Sequence, residues 1–304
     1  MKIDIGLLIL AIIGGAFRVS TPFLFVSLGE CITEKAGRVN LGHEGSLIIG
    51  AMSGYGASLY SGSPWIGVFV AGMSGSLFGL FHGWICNKRG VNHTAMGIAL
   101  MMLGTGLAFF LGKGLIRPTA PRLGDFSLAW FSNVPQVRQA FLINSLFPLG
   151  ILLTIVFHLM LRHSRWGMVL RLVGESPEAG TALGYNVSMT RIAATGAGAF
   201  LSGIAGAYLS LYYPGSWNEG LSSGQGLMAV ALVIFARWKP LRCFAASLLF
   251  GGASALGPSL QSAGFSYGYY LFNAAPYVLT LIIIIISASR SKFSNEPAAL
   301  RTSN

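Results

Sequence analysis

Charged residues are scarce in this sequence. Lys, Arg, Asp and Glu make up 10% of its 304 residues, whereas a soluble globular domain carries about 25%. Hydrophobic residues make up 53%, and the mean hydropathy is +0.66. Most of such a chain cannot face water, so the composition excludes an ordinary soluble domain.

Motifs for metal and nucleotide chemistry are missing as well. The three cysteines, Cys31, Cys86 and Cys243, form no CxxC pair and have no ligand cluster near them in the sequence, which argues against a metal site or a disulfide framework. No GxxxxGK[ST] phosphate loop and no HExxH pattern occurs. We therefore predict no catalytic residues, no metal site and no cofactor in this chain.

Long apolar stretches are what the sequence has instead. A helix needs about 20 apolar residues to cross a bilayer. Runs such as 278–286 are apolar apart from Thr280 and do not alternate, which favours helices. We predict an all-α polytopic membrane bundle of about nine transmembrane helices, within a range of eight to ten. The predicted spans are 5–29, 41–60, 64–86, 92–112, 140–161, 189–212, 223–236, 243–258 and 269–288.

No linker is long or polar enough to separate two domains. We predict one transmembrane domain over 1–288, which includes a cytoplasmic loop at 162–188. The polar tail over 289–304 is expected to be cytoplasmic and disordered. The first span is expected to be interrupted at Thr21-Pro22.

The basic residues predict the orientation. Fourteen of the twenty Lys and Arg residues fall in one set of loops, which the rule of positive cytoplasmic loops places inside. This puts the C-terminus in the cytoplasm and the N-terminus outside. The same bias explains the formal net charge of +11 without a nucleic-acid partner. The loops in question are 30–40, 87–91, 162–191, 237–242 and 289–304.

A polar, glycine-rich stretch at 29–45 lies between the first two apolar spans. Asn40 and Glu44 are four residues apart and would share one face of a helix. An ionised group at the bilayer centre costs at least about 2.5–3.5 kcal/mol, so such a group usually faces water or a partner. Two interpretations remain open. Either Asn40, His43 and Glu44, with Asn92 at the start of the fourth span, line a path across the membrane, or they cap a broken helix near the interface.

The cytoplasmic loop contains the signals of a short helix. Ser176 is a good N-cap and Pro177 a favoured first helical residue. Glu178 lies in the first turn, and Gly184 is placed to end the helix. A helix of about two turns is not stable alone in water. It is therefore expected to dock, either on a partner protein or on the rest of this subunit.

Two further segments are explained by interfacial anchoring. Arg237-Trp238-Lys239-Pro240 is typical of a tight cytoplasmic turn with a tryptophan at the membrane interface. The aromatic loop 212–220 is expected outside, where its rings anchor at the interface; meeting a delivery protein or gating the path is the alternative.

Small residues at four-residue spacing share helix faces in three spans. Such faces let two helix backbones approach closely. Packing within the subunit is the favoured interpretation, and a dimer seam or a pore lining is the alternative. The residues are Gly50 and Gly54; Gly75, Gly79 and Gly83; and Gly198, Ser202 and Gly206.

Four segments in order resemble one family of proteins. They are GECITEKAGRVNLGHEG at 29–45, RLVGESPEAGTALGYNV at 171–187, GQGLMAVALVIFARWKP at 224–240 followed by SLLFGGASAL, and APYVLTLIII at 275–284. The chain resembles the permeases of ABC importers for branched-chain amino acids, simple sugars and nucleosides, most closely the nucleoside type. Ala236 departs from the family, which often has Gly before Arg-Trp.

The resemblance implies a translocation subunit of the bacterial inner membrane that moves a nucleoside or related solute by alternating access. A simple sugar or another small solute is the alternative, and an ion-coupled secondary transporter is the main rival. The implied partners are a second permease, a cytosolic ATPase that binds the ATP, a solute-binding protein and membrane lipid. The implied coupling residues match the short helix: Glu175, Ser176, Pro177, Glu178, Ala179 and Gly184.

Overall fold

A computed structural model describes residues 5–88, 90–127, 133–262, 272–289 and 297–301. Within these ranges the chain is almost entirely helical, with one two-stranded antiparallel sheet outside the bundle. The helices are α1 Ile5–Lys35, α2 His43–Ser61, α3 Pro64–Ile85, α4 His93–Gly112, α5 Pro135–Ala140, α6 Leu146–His163, α7 Arg165–Glu175, α8 Pro177–Ala182, α9 Val187–Leu211, α10 Gln225–Ala236, α11 Pro240–Ser262, α12 Ala275–Ser289 and α13 Ala298–Arg301.

Six helices in the described ranges are long and apolar enough to cross a membrane: α1, α3, α4, α6, α9 and α11. The polytopic helical bundle is therefore confirmed, while the count of nine stays a prediction. α10 is apolar but has only 12 residues. Of the predicted ninth span, 269–271 lies outside the described residues, and α12 covers 275–288.

The outer surface of the bundle is apolar. Large exposed side chains such as Phe69, Met102 and Leu152 lie on α3, α4 and α6. Two exposed tryptophans, Trp65 and Trp84, mark the two ends of α3. At 1.5 Å per residue they lie about 28 Å apart along the helix, close to the thickness of a hydrocarbon core of about 30 Å. These tryptophans match the aromatic belts at the two membrane surfaces.

The bundle is built around α9, which packs against α1, α2 and α3. All but one of its residues from Ala194 to Leu211 are buried or nearly so. α2 is also mostly buried, which explains why a helix of lower hydropathy can lie in the bundle without facing lipid. The interior combines a large apolar core with a set of buried polar side chains, and the exterior is apolar. Polar contacts between helices are expected in a membrane bundle.

The small-residue faces pack within the subunit. An added Cβ at Gly75 or Gly79 would fall within 2.4 Å of Ala199 on α9. Gly50 faces Gly203, and Gly198 faces the backbone of Gly29. The glycines therefore serve close approach between helices of this chain, as the favoured interpretation predicted.

We expect Gly203→Ala to destabilise the protein. The new Cβ would lie 2.0 Å from the backbone oxygen of Ala71, and overpacking of this kind typically costs about 1–3 kcal/mol. Gly252→Ala is the matched control, because the nearest atom to its Cβ, on Ala16, is 3.8 Å away. Thermal melting of the detergent-purified protein checks the prediction. Equal melting temperatures for the two variants would contradict the packing described for α3 and α9.

The predicted interruption at Thr21-Pro22 is wrong, because α1 continues through it. Proline lacks the N–H that would bond the carbonyl four residues earlier, which is that of Arg18. Here the Tyr208 hydroxyl donates to the Arg18 carbonyl at 2.8 Å. A neighbouring helix therefore replaces the missing donor, which is how membrane helices tolerate proline.

Tyr208→Phe should destabilise the bundle by about 1–3 kcal/mol, because it removes the hydrogen bond from the buried Tyr208 hydroxyl to the Arg18 carbonyl. In a Pro22→Ala background the new N–H can bond that carbonyl, so the same change should cost clearly less. A double-mutant cycle on melting temperature measures the difference. An identical loss in both backgrounds would show that the hydroxyl does not compensate for the proline.

Three predicted boundaries differ from the structure. α1 reaches Lys35, so 30–35 is helix and not part of a cytoplasmic loop. The fifth span begins at Leu146, because Leu142–Asn144 pairs as a strand with Asp125–Ser127. Of the predicted disordered tail, 297–301 contains α13, whose Ala299 and Leu300 are buried beside α7. For those residues the structure differs from the prediction.

Candidate functional site

Three carboxylates lie inside the bundle. Glu30 and Glu34 are on α1 and Glu44 is on α2, and their exposed fractions are 0%, 2% and 5%. Buried charges in a membrane protein are costly and mark functional positions. The sequence has nine acidic residues in all, so a third of them gather in this one region.

Glu30 joins α1, α2 and α9 through one hydrogen-bonded chain. Its Oε1 accepts the backbone N–H of Asn40 at 2.9 Å, and its Oε2 lies 2.7 Å from His43 Nε2. His43 Nδ1 lies 2.6 Å from the Ser202 hydroxyl. A neutral imidazole with its proton on Nε2 donates to Glu30 and accepts from Ser202, so this tautomer satisfies both contacts.

The order carboxylate, histidine, serine is also that of a hydrolase triad. A triad needs a space where substrate reaches the nucleophile. Glu30, His43 and Ser202 are each fully buried, and none of them lines the cavity beside Glu44 or the cavity between α3, α6 and α9. The hydrogen-bonded series Glu30, His43 and Ser202 therefore links α1, α2 and α9.

Glu34 holds the turn between α10 and α11. Its carboxylate accepts the indole N–H of Trp238. Trp238 was predicted to anchor at the membrane interface, but its side chain is buried within the subunit. Arg237 and Trp238 both adopt positive φ, of 52° and 54°. Such a conformation is unfavourable for residues with side chains. The bond to α1 is one contact that fixes it.

Glu44 anchors the N-terminus of the short helix α10. Its Oε1 accepts the Ser222 hydroxyl at 2.5 Å and the Gly224 N–H at 3.2 Å. Its Oε2 accepts the Gly226 N–H at 2.6 Å. A carboxylate is favoured at a helix N-terminus by the unpaired N–H groups and the dipole. One carboxylate on α2 thus fixes the start of a half-length helix that begins inside the bundle.

Beside Glu44 lies a cavity of about 580 Å³. Its wall combines apolar and aromatic side chains, including Leu47, Phe109 and Trp217, with polar groups at Thr105 and Ser222. Trp217 donates its indole N–H to the Gly112 carbonyl at 2.9 Å, so the loop before α10 is fixed to α4. Ligand sites are typically apolar cavities of 300–1,000 Å³ with a few placed polar groups. A cavity at the N-terminus of a broken helix is also where transporters bind solutes.

The predicted path residues separate in the structure. Glu44 lines the cavity. His43 is directed to Glu30 and Ser202, and the Asn40 side chain accepts the Gly42 N–H at 2.9 Å.

Asn92 is exposed and caps α4 by accepting the Ala95 N–H at 3.0 Å. It does not line the cavity. Of the four predicted residues, the structure therefore places only Glu44 at the cavity wall.

Sequence reasoning missed Glu30, Glu34 and the distant cavity residues. Glu30 and Glu34 are four residues apart, a spacing that puts both on one face of a helix. The glycines at 29 and 37 made this segment look like a loop. Trp217 was singled out as part of the aromatic loop 212–220, for which interfacial anchoring was favoured, but its side chain is buried at the cavity wall. Ser222 gave no signal, because its role depends on where the loop before α10 folds.

The predicted short helix is present as α8, Pro177–Ala182. Ser176 caps it by accepting the Ala179 N–H at 3.2 Å, and Gly184 follows it with φ +81°. Glu178 is exposed, and Glu175 ends the preceding helix.

α7, Arg165–Glu175, was not predicted, although Ser164 caps it in the same manner. Gly174 at its end packs against the Lys35 carbonyl, where an added Cβ would be 2.2 Å away. The α7–α8 pair therefore contacts the end of α1, and the chain from there leads through 36–42 to His43 and Glu44.

Comparison with known proteins identifies the family of this chain. A model described as branched-chain amino acid transport system / permease component matches residues 12–288. The chain is 33% identical to a putative glucose ABC transporter permease of Haloferax volcanii, over 83% of this chain and 78% of that one. It is 29% identical to a nucleoside ABC transporter permease of Lactococcus lactis (90% and 91%) and 26% identical to a guanosine ABC transporter permease of Bacillus subtilis (92% and 93%). No solved structure matches.

The chain belongs to this family of ABC transporter permeases. It is thus a multi-pass membrane protein and a transport subunit, not an enzyme. Membership implies an ATPase partner and a solute-binding protein.

Proposed function

We propose that this chain is the translocation subunit of a nucleoside importer. The observation that carries the proposal is the cavity beside Glu44, at the start of an apolar helix of only 12 residues. The names of two relatives, one a nucleoside permease and one a guanosine permease, support the same solute class.

The cavity wall suits a nucleoside chemically. A nucleobase has flat apolar faces, and the rings of Phe109 and Trp217 lie 6.5 Å apart at an angle of 55°. Thr105 and Asn218 offer hydroxyl and amide groups for the ribose. A simple sugar is the second candidate, because a relative at 33% identity is named a glucose permease.

We propose that α8 docks on a cytosolic ATPase, which binds the ATP that this chain does not bind. Leu183, Tyr185 and Met189 are exposed next to α8, and Leu183 is 68% exposed. They form an apolar patch, defined here as the docking patch, on the side that the basic residues place in the cytoplasm. A second permease, identical or homologous, would complete the path. In the inner membrane, the N-terminus lies on the outer side and the C-terminus lies in the cytoplasm.

A continuous line of contacts from α8 to the cavity supports alternating access. A movement of α7 and α8 reaches the Lys35 carbonyl through Gly174. From there the turn 36–42 connects directly to His43 and Glu44, and Glu44 fixes the start of α10 at the cavity. An ATP-driven change at the docking patch can move the subunit from one transport state to the other only if these contacts differ between the two states.

Uptake of radiolabelled nucleosides and glucose by cells carrying the intact operon tests the proposal. The wild type should import nucleosides, and Glu178→Lys combined with Gly184→Pro should abolish that import while the protein remains inserted. Glucose import without nucleoside import would replace the solute class. Undiminished uptake by the double variant would remove the coupling role from α8.

A further inference from the structure

Four basic side chains meet where α3 ends, α4 and α9 begin, and the chain turns from α1 to α2. They are Arg38, His82, His93 and Arg191, called here the basic cluster. Arg38 lies in the turn, His82 in the last turn of α3, His93 at the start of α4 and Arg191 in the first turns of α9. The cluster is separate from the cavity beside Glu44 and from the docking patch.

Among the described residues, neither Arg38 nor Arg191 forms an ion pair with a carboxylate. Arg38 contacts the His93 ring and donates to the Asn87 side-chain oxygen at 3.4 Å. Arg191 donates to the Ala36 carbonyl at 3.0 Å.

The charges of the two arginines repel each other. The acid that acts on Arg191 is Glu178, which is exposed on α8 and beyond ion-pair distance. Burial lowers the pKa of Arg38, as expected of a guanidinium removed from water without a counter-charge.

His82 is an independent observation that points to a ligand. Its side chain is only 2% exposed, and among the described residues neither ring nitrogen makes a hydrogen bond of standard geometry, although the His93 backbone lies nearby. A buried polar group without a well-aligned partner is costly. The ring lies close enough to Arg38 to feel its charge. An anion held by Arg38 would also give the His82 ring an acceptor.

The depth of the cluster identifies the source of the anion. Trp84 lies with His82 in the last turn of α3, and Lys88 follows the end of that helix. The Lys88 ammonium is 4.8 Å from the centre of the Trp84 ring. Both side chains are exposed, and Phe81 stacks on Trp84. Exposed tryptophan with a lysine extended over it is typical of the headgroup layer. The basic cluster is therefore at the depth of lipid phosphates.

We propose that the basic cluster binds the phosphate of an anionic phospholipid headgroup on the α8 side of the membrane. An arginine guanidinium can donate two parallel N–H···O hydrogen bonds to one phosphate group. Basic pockets between membrane helices bind acidic lipid headgroups. Arg38 precedes Asn40 and Glu44 by a few residues, and Arg191 holds the Ala36 carbonyl. A bound phosphate would therefore fix the junction between the cytoplasmic helices and the cavity.

Native mass spectrometry and melting of the purified transporter complex test this proposal. In phosphatidylcholine vesicles, added phosphatidylglycerol should raise the melting temperature and remain bound to the wild type. Arg38→Gln with Arg191→Gln should weaken that binding by about tenfold or more, since each lost charge-assisted contact is worth about 1.5–3 kcal/mol. Arg162→Gln with Arg165→Gln is the matched control, because it removes the same charge from exposed positions. It should bind as the wild type does.

Further arms separate the outcomes. Inorganic phosphate added to phosphatidylcholine vesicles should not raise the melting temperature; an equal rise would make the site one for soluble phosphate and overturn the lipid assignment. If the glutamine variant does not fold, Arg38→Lys with Arg191→Lys keeps the charge and loses the fork, and it should bind phosphatidylglycerol more weakly than the wild type. Equal loss in the Arg162 and Arg165 control, or no bound phosphatidylglycerol on the wild type, would overturn the proposal.

Discussion

Glu44→Ala should reduce uptake of the transported solute by about 100-fold or more. The change leaves the Ser222 hydroxyl and the Gly224 and Gly226 N–H groups without their acceptor. A hydrogen bond to a charged group contributes about 1.5–3 kcal/mol, so loss of three such bonds is enough to release the start of α10. The cavity wall is then no longer fixed on that side.

Glu44→Gln separates charge from shape. The amide keeps one acceptor oxygen, but its NH₂ group would face an N–H of α10. We expect uptake to fall by about tenfold, between the wild type and Glu44→Ala. Initial uptake rates in cells with equal amounts of inserted protein measure this. Glu219→Gln is the control, because Glu219 is an exposed acid in the loop before α10. Normal uptake by Glu44→Ala would refute the anchoring role.

Leu183→Asp should reduce ATP-driven uptake by about 30-fold or more. In the proposed assembly Leu183 is the exposed centre of the docking patch, and loss of a central contact residue commonly costs 2 kcal/mol or more. An aspartate also brings a charge that would lose its water on docking. The folding of this subunit should be unaffected, since the side chain is mostly exposed.

Two measurements separate docking from folding. The ATPase that copurifies with the tagged subunit should fall together with uptake, while the amount of inserted subunit should not. Tyr60→Asp is the matched control, because Tyr60 is an exposed apolar residue near the end of α2, on the opposite side in the predicted orientation. A normal yield of ATPase with Leu183→Asp would place docking elsewhere on the chain.

The apolar runs and the caps could be read from the sequence. α3, α4 and α9 begin and end within about two residues of the predicted spans, because composition alone decides which stretches lipid accepts. α8 was predicted for a local reason as well, since Ser176, Pro177 and Gly184 act within one or two turns.

The predictions that failed concern residues whose contacts come from other parts of the chain. Pro22 does not interrupt α1, because Tyr208 on α9 supplies the hydrogen bond. Glu30 and Glu34 lie in a helix because His43 and Trp238 meet them there. These partners are 13 and 204 residues away in sequence. Nothing in the local pattern distinguishes such a buried acid from one in a loop.

The candidate site could be predicted only in part. Glu44 was singled out because a charge next to an apolar span needs a partner or water. Its partners come from the loop before α10, and the cavity also needs Thr105 and Phe109 from α4. Segments this far apart meet only in the folded chain. His43 and Asn40 are neighbours of Glu44 in sequence, but the His43 side chain contacts Glu30 and Ser202, and the Asn40 side chain accepts the Gly42 N–H.

The central claim is that the nucleoside crosses the membrane through the cavity beside Glu44. A cysteine placed in the wall at Thr105 allows a direct test, because the native thiols interfere little. Cys31, Cys86 and Cys243 are buried, and burial raises the pKa of Cys86 to about 11, so that thiol stays protonated at neutral pH.

The measurement is nucleoside uptake by cells carrying Thr105→Cys, before and after treatment with a bulky methanethiosulfonate reagent. Ser61→Cys, at an exposed position at the end of α2, is the control for modification away from the cavity. The account predicts that treatment blocks uptake by Thr105→Cys and leaves uptake by Ser61→Cys and the wild type unchanged. Full uptake by Thr105→Cys, with mass spectrometry showing the cysteine modified, would contradict it.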